Sequence, residues 1–157
     1  MKCVLYAEDE PDDVFFMELA FQKMGASARL LTVRDGAEAI AYLSGDGLYA
    51  DRARYPSPNL VLLDLKMPIM NGFDVLKWIR TTPSASSLPV VVLTSSGNDT
   101  DKSRAALLGA NGYLIKPSHP DKLAELARVF KEYWLENDHL SDESLQLAKP
   151  SAPGIWR

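Results

Sequence analysis

Five carboxylates fall within six positions near the start of the chain, Glu8, Asp9, Glu10, Asp12 and Asp13, directly after the apolar run CVLYA. Like charges this close repel, and burying one without a partner is costly. Other apolar runs end on residues of chemical interest. LVLL leads to Asp64, VVVL to Thr94 with Ser95 and Ser96 behind it, and GYLI to Lys116. Clustered carboxylates at a solvent-open rim suit a hard cation such as Mg²⁺, which takes oxygen ligands and keeps several waters, so one or two carboxylates suffice. Cation, carboxylate, hydroxyl and ammonium together describe phosphoryl transfer, where a nucleophile needs mainly positioning and charge neutralisation. Asp64 is then the candidate nucleophile, forming an aspartyl phosphate. Lys116 pairs with one phosphoryl oxygen and Thr94 donates a hydrogen bond to another. Only Glu8 and Asp9 of the N-terminal acids are assigned to the cation. Asp12 and Asp13 read as first-turn helix acids, where negative charge is favourable, and Glu10 as an exposed residue of the capping region.

These residues can meet only if the elements before them lie side by side. CVLYA, RLLTV, NLVLL, PVVVL and GYLI are short apolar runs, mostly β-branched or aromatic, and read as buried strands. Helical patterns alternate with them. The first opens at Pro11, carries Val14, Met17, Leu19 to Phe21 and Met24 on one broad face, and stops at Gly25. The second opens at DGAE, with Asp35 and Glu38 at capping-box spacing. The third runs from about Gly72 with Val75, Leu76 and Ile79 inward, and the fourth from Asn98 or Asp99 to Gly109. The fifth starts at Pro120 and lines up Leu123, Leu126, Ala127, Phe130 and Trp134. Five strands alternating with five helices make an α/β doubly wound parallel sheet, whose function gathers at the carboxyl edge of the strands. The stretch from Ser44 to Asn59 is long for a helix-to-strand connection and reads as an ordered surface loop. A polar tail follows from about Asn137 and ends in Ile155-Trp156-Arg157.

The 157 residues suit one domain with a single full core. A net charge of −4 without any Lys/Arg block argues against a nucleic-acid partner. The lone Cys3 reads as a small core residue and allows no internal disulfide. No run approaches the ~18 apolar residues of a membrane span, and the acids from Glu8 onward interrupt the start too early for a secretory signal. A cytoplasmic protein with no membrane association is expected.

The stretches YAEDE, LVLLDLKMPIMNG, VVVLTSSG and GYLIKP, taken in order, resemble the signature segments of response-regulator receiver domains, the CheY-like family. The frame is D-x-x-M-P-x-x-x-G at Asp64, with a Thr 30 residues on and Lys-Pro 52 residues on. The resemblance spans roughly Lys2 to Glu136. It implies a flavodoxin-like five-stranded sheet of order 2-1-3-4-5, with a receiver over 1–136, a tail over 137–157 and no output domain. It also implies a signalling switch rather than an enzyme, phosphorylated on Asp64 by a sensor histidine kinase with Mg²⁺ as cofactor. Glu8 (through water), Asp9, Asp64 and the Lys66 carbonyl would hold the cation. Thr94 and Tyr113 would form the switch, the Lys116–Pro117 bond would be cis, and Lys66 and Ser96 would tune the phosphoryl lifetime. The extra loop with YADR and YPSP most resembles single-domain regulators associated with bacterial phytochromes. Such a protein would form a homodimer through the fourth helix, fifth strand and fifth helix.

Other readings fare worse. A haloacid-dehalogenase-like phosphatase needs a second Asp two residues after its nucleophile, and Lys66 stands there. A flavodoxin-like cofactor binder must cradle a phosphate in its first loop, and EDEPDD would repel one. A degenerate receiver, acting as an interaction module without phosphorylation, remains the alternative that experiment must separate.

Overall fold

Each apolar run becomes a strand, and the helices cover both faces of the resulting sheet. The computed structural model describes residues 2–23, 28–130 and 155–156. Strands β1 (Lys2–Ala7), β2 (Ala28–Val33), β3 (Leu60–Leu63), β4 (Val90–Thr94) and β5 (Gly112–Ile115) alternate with helices α1 (Pro11–Lys23), α2 (Gly36–Ser44), α3 (Gly72–Thr81), α4 (Asp99–Leu107) and α5 (Leu123–Phe130). The five strands are parallel in the order β2-β1-β3-β4-β5, as expected. A two-residue strand β6 (Ile155–Trp156) adds an antiparallel partner to β5, pairing Tyr113 with Trp156 and Leu114 with Ile155. It covers part of an edge that would otherwise present unpaired backbone groups. Trp134 of the expected fifth helix lies outside the described residues.

Strand residues alternate between two apolar layers. Val4, Tyr6, Leu60, Leu62, Val91, Leu93 and Leu114 pack against Met17, Ala20 and Phe21 of α1 and Leu123 and Ala127 of α5. Leu5, Ala7, Val61, Leu63 and Val90 face the opposite layer, with Ala39 and Tyr42 of α2 and Val75, Leu76 and Ile79 of α3. Burial on both faces is why these strands read as continuous apolar runs rather than alternating ones. Cys3 is buried and free.

The helix starts follow their capping residues. Asp35 accepts from the Glu38 amide at 2.7 Å, and Asn71 and Asp74 form a reciprocal capping box at the head of α3. Asn98 caps α4 by accepting from the Thr100 amide. At the start of the fifth helical segment, Pro120–Lys122 form one 3-10 turn before α5 proper.

The loop between α2 and β3 is ordered by its own side chains. Tyr49 stacks between Tyr42 and Tyr55, at ring-centroid distances of 4.8 and 5.1 Å. Arg52 donates to the carbonyls of Leu43 and Tyr55. The loop closes where Asn59 accepts from the Cys3 amide at 2.7 Å, at the amino end of the strands and so at the opposite end of the sheet from Asp64.

Candidate functional site

Register brings the carboxyl ends of β1 and β3 level, pairing Ala7 with Leu63. The next residues continue the ladder: the Asp64 amide donates to the Ala7 carbonyl at 3.1 Å, and the Glu8 amide to Val33 at 3.0 Å. Glu8, Asp9 and Asp64 therefore converge, each offering a carboxylate oxygen within 4.8 Å of the others. Beyond β3, α3 must return immediately over the nucleophile. Gly72 makes that possible, since a Cβ there would collide with the Asp64 carbonyl and come within 2.8 Å of Leu65 Cα. The glycine of the D-x-x-M-P-x-x-x-G frame is thus a requirement of close backbone approach.

Lys116 enters from β5, its amide donating to the Thr94 carbonyl at 2.8 Å. Its ammonium lies 3.4 Å from Asp64 Oδ2, 2.8 Å from Asp13 Oδ2, and also pairs with Glu8 Oε1. The Lys116–Pro117 bond, expected to be cis, is trans, since no peptide bond among the described residues is cis. The Lys116 ammonium reaches Asp64 from a trans backbone, and trans is the form an X–Pro bond favours by about 0.5–1 kcal/mol. Thr94 is fully buried at the end of β4, with its Oγ1 accepting from the Ser96 amide at 3.4 Å.

The electrostatics follow from burial. Glu8 is fully buried, and that burial, with the Asp64 charge beside it, pushes its carboxyl up to about 8 against the pull of Lys116. Tyr6 lies beneath and donates to Glu8 Oε1 at 3.2 Å. Burial first, then the charges of Glu8, Asp13 and Asp64, raise its phenol and keep it a donor. Burial alone would lower Lys116. The hydrogen bond to Asp13 and the charges of Asp64 and Glu8 outweigh it, and the ammonium is held above its usual range. Glu8, Asp9 and Asp64 supply hard oxygens in the number and spacing a divalent cation takes, and two added charges would relieve their mutual repulsion.

Around this centre lies a cleft of about 410 Å³, lined among others by Asp9, Asp13, Asp64, Lys66, Lys116 and Pro117. Lys66 is exposed and forms no ion pair among the described residues. The Ser96 hydroxyl donates to Asp101 of α4 at 2.7 Å, while its carbonyl accepts from the Tyr113 hydroxyl at 2.8 Å. Tyr113 is fully buried and turned inward.

Asp13 reads from the sequence as a helix-dipole acid alone, yet its carboxylate reaches the centre, 2.8 Å from the Lys116 ammonium. A sequence signal exists: Asp13, Met17 and Phe21 are spaced i, i+4, i+8 on α1, and the two apolar members are buried. A carboxylate at the head of an inward stripe points inward with it.

The model of the response regulator receiver domain family matches residues 4–128. The probable methanogenesis regulatory protein FilR2 of Methanothrix harundinacea is 37% identical over 132 residues, covering 84% of this chain and 83% of that protein. The crystal structure of the Mn²⁺-bound form of response regulator Rcp1 superposes with a TM-score of 0.80 at 33% identity, covering 90% of this chain and 99% of that one. The phosphorylated cyanobacterial phytochrome response regulator RcpA gives 0.80 at 34% identity, covering 86% and 94%. Among the described residues no helix is long and apolar enough to cross a membrane.

Proposed function

Because the chain belongs to the response-regulator receiver family, we propose that it is a two-component switch phosphorylated on Asp64 by a sensor histidine kinase. The observation that carries this reading is the Asp64 carboxylate, flanked by Glu8 and Asp9 on one side and by Lys116 at 3.4 Å on the other. An Asp64 carboxylate oxygen attacks the phosphorus of a phosphohistidine. The P–N bond breaks and its electron pair leaves with the imidazole. Lys116 then pairs with a phosphoryl oxygen and the Thr94 hydroxyl donates to another. Glu8 (through water), Asp9, Asp64 and the Lys66 carbonyl would hold Mg²⁺, which supplies charge neutralisation for the phosphoryl oxygens.

Thr94 and Tyr113 would report the phosphoryl group to the face built from α4, β5 and α5, through a shift in conformer populations. Tyr113 is already tied to Ser96, and Ser96 to the first turn of α4, which supports such coupling. Lys66 and Ser96, beside the cleft, would set the lifetime of the aspartyl phosphate. That same α4–β5–α5 face would carry a homodimer, and the likeness to a phytochrome response regulator supports a phytochrome-type kinase as partner. The receiver would occupy 1–136 and the tail 137–157.

Intact-mass measurement after incubation with acetyl phosphate and Mg²⁺ tests the assignment. Wild type should gain one phosphoryl group, and Asp64→Asn or chelation of the metal should abolish the gain. Labelling that persists in Asp64→Asn would refute Asp64, and no labelling of wild type would favour the phosphorylation-independent module.

A further inference from the structure

Lys116 has three carboxylate partners, and one of them stands outside the cation cluster. Glu8, Asp9 and Asp64 share oxygens within reach of one ion, whereas Asp13 is absent from that group. Its side chain is only 13% exposed, and Lys116 is its one ion-pair partner among the described residues. The ammonium sits closer to Asp13, at 2.8 Å, than to Asp64, at 3.4 Å. A divalent cation bound at Glu8, Asp9 and Asp64 would offset those three charges and leave Asp13 dependent on Lys116 alone. A phosphoryl group arriving at Asp64 must draw the same ammonium toward itself.

We propose that Asp13 is a positioning residue that restrains Lys116, holding its ammonium toward α1 and so slowing phosphoryl uptake at Asp64. This rests on the aspartyl-phosphate function proposed above. The restraint also ties that event to α1, because Lys116 can approach the phosphoryl oxygen fully only by loosening its bond to the first turn of that helix. Asp12, one residue earlier, is exposed to solvent, so the same charge there has no hold on the ammonium. The pair contrasts geometry at nearly constant charge and position.

The test measures the initial rate of phosphoryl uptake from acetyl phosphate at saturating Mg²⁺, by intact mass. Asp64 attacks phosphorus, the P–O bond to the acetyl group breaks, and acetate leaves with the electron pair. Asp13→Asn should accelerate uptake about three- to tenfold, while Asp12→Asn should leave it within about twofold of wild type. Asp13→Glu, which keeps the charge, should return the rate toward wild type. In a Lys116→Ala background the gain from Asp13→Asn should vanish, since nothing remains to release. An Asp13→Asn rate that is unchanged, slower or matched by Asp12→Asn overturns the proposal, as does a gain that survives without Lys116. Asp13→Ser provides the same test if Asp13→Asn does not fold. A wild type that takes up no phosphoryl group overturns the function and this inference together, whereas labelled wild type with an inert Asp13→Asn overturns this inference alone.

Discussion

The phenol of Tyr6, in β1, donates across 3.2 Å to Oε1 of Glu8, which lies just beyond the strand. Both side chains are fully buried, and the Lys116 ammonium pairs with the same oxygen. Burial and the Asp64 charge raise the Glu8 carboxyl, and Lys116 opposes them.

This sets a pH dependence. The folded carboxyl is raised to about 8, above its usual value of 4.5, so the metal-free folded protein binds more protons than the unfolded chain. The resulting stabilisation is fully present below about 4.5 and is lost as pH rises toward 8. In chelator, urea unfolding should show wild type losing stability relative to Glu8→Gln across that window. Proton competition should weaken Mg²⁺ binding as pH falls below 8, by up to about tenfold per pH unit, measured by titration between pH 6 and 8.

Ile69 holds a φ of 69° and is 79% exposed, in the loop between β3 and α3. A β-branched residue in the left-handed region is strained, and its side chain recovers little there by burial. Ile69→Asn should stabilise the fold by about 1 kcal/mol, seen as a rise in Tm. An unchanged or lower Tm would mean that the loop gains nothing from relief at this position.

Arg80 joins two connections at the amino end of the strands. It donates to the carbonyls of Gly109, Ser86 and Leu88 and to Asn111 Oδ1, at 3.0, 3.1, 2.7 and 2.7 Å. Asn111 Oδ1 in turn accepts from the Val90 amide that begins β4. Arg80→Ala should cost about 2–4 kcal/mol in urea unfolding, and Arg80→Lys should recover only a fraction because the planar fork is lost. Phosphoryl uptake by the folded fraction should be unaltered, since none of these groups lies at Asp64.

Deleting residues 141–157 removes β6 and uncovers the backbone of β5 at Tyr113 and Leu114. An exposed strand edge invites pairing with another chain. The truncated protein should change its oligomeric state by light scattering or its Tm, and no change in either would make β6 dispensable.

The apolar runs and the helical stripes were legible in the sequence because each depends on local periodicity, and a strand buried on both faces announces itself in four to six residues. The positions of Asp64, Thr94 and Lys116 were legible for a related reason: each directly follows such a run, or ends it, and parallel strands bring those ends to one edge. What only the tertiary structure decided are the pairings between side chains from distant elements. Lys116 and Asp13 are 103 residues apart, and Asp13 alone looks like a helix-dipole acid. The trans bond before Pro117 and the turn of the Ser96 hydroxyl to Asp101, where α4 begins, likewise carry no mark in the local sequence. Local composition specifies which atoms can donate, accept or carry charge. Which of several carboxylates shares a given ammonium is set by strand register and helix packing, and those depend on the whole core.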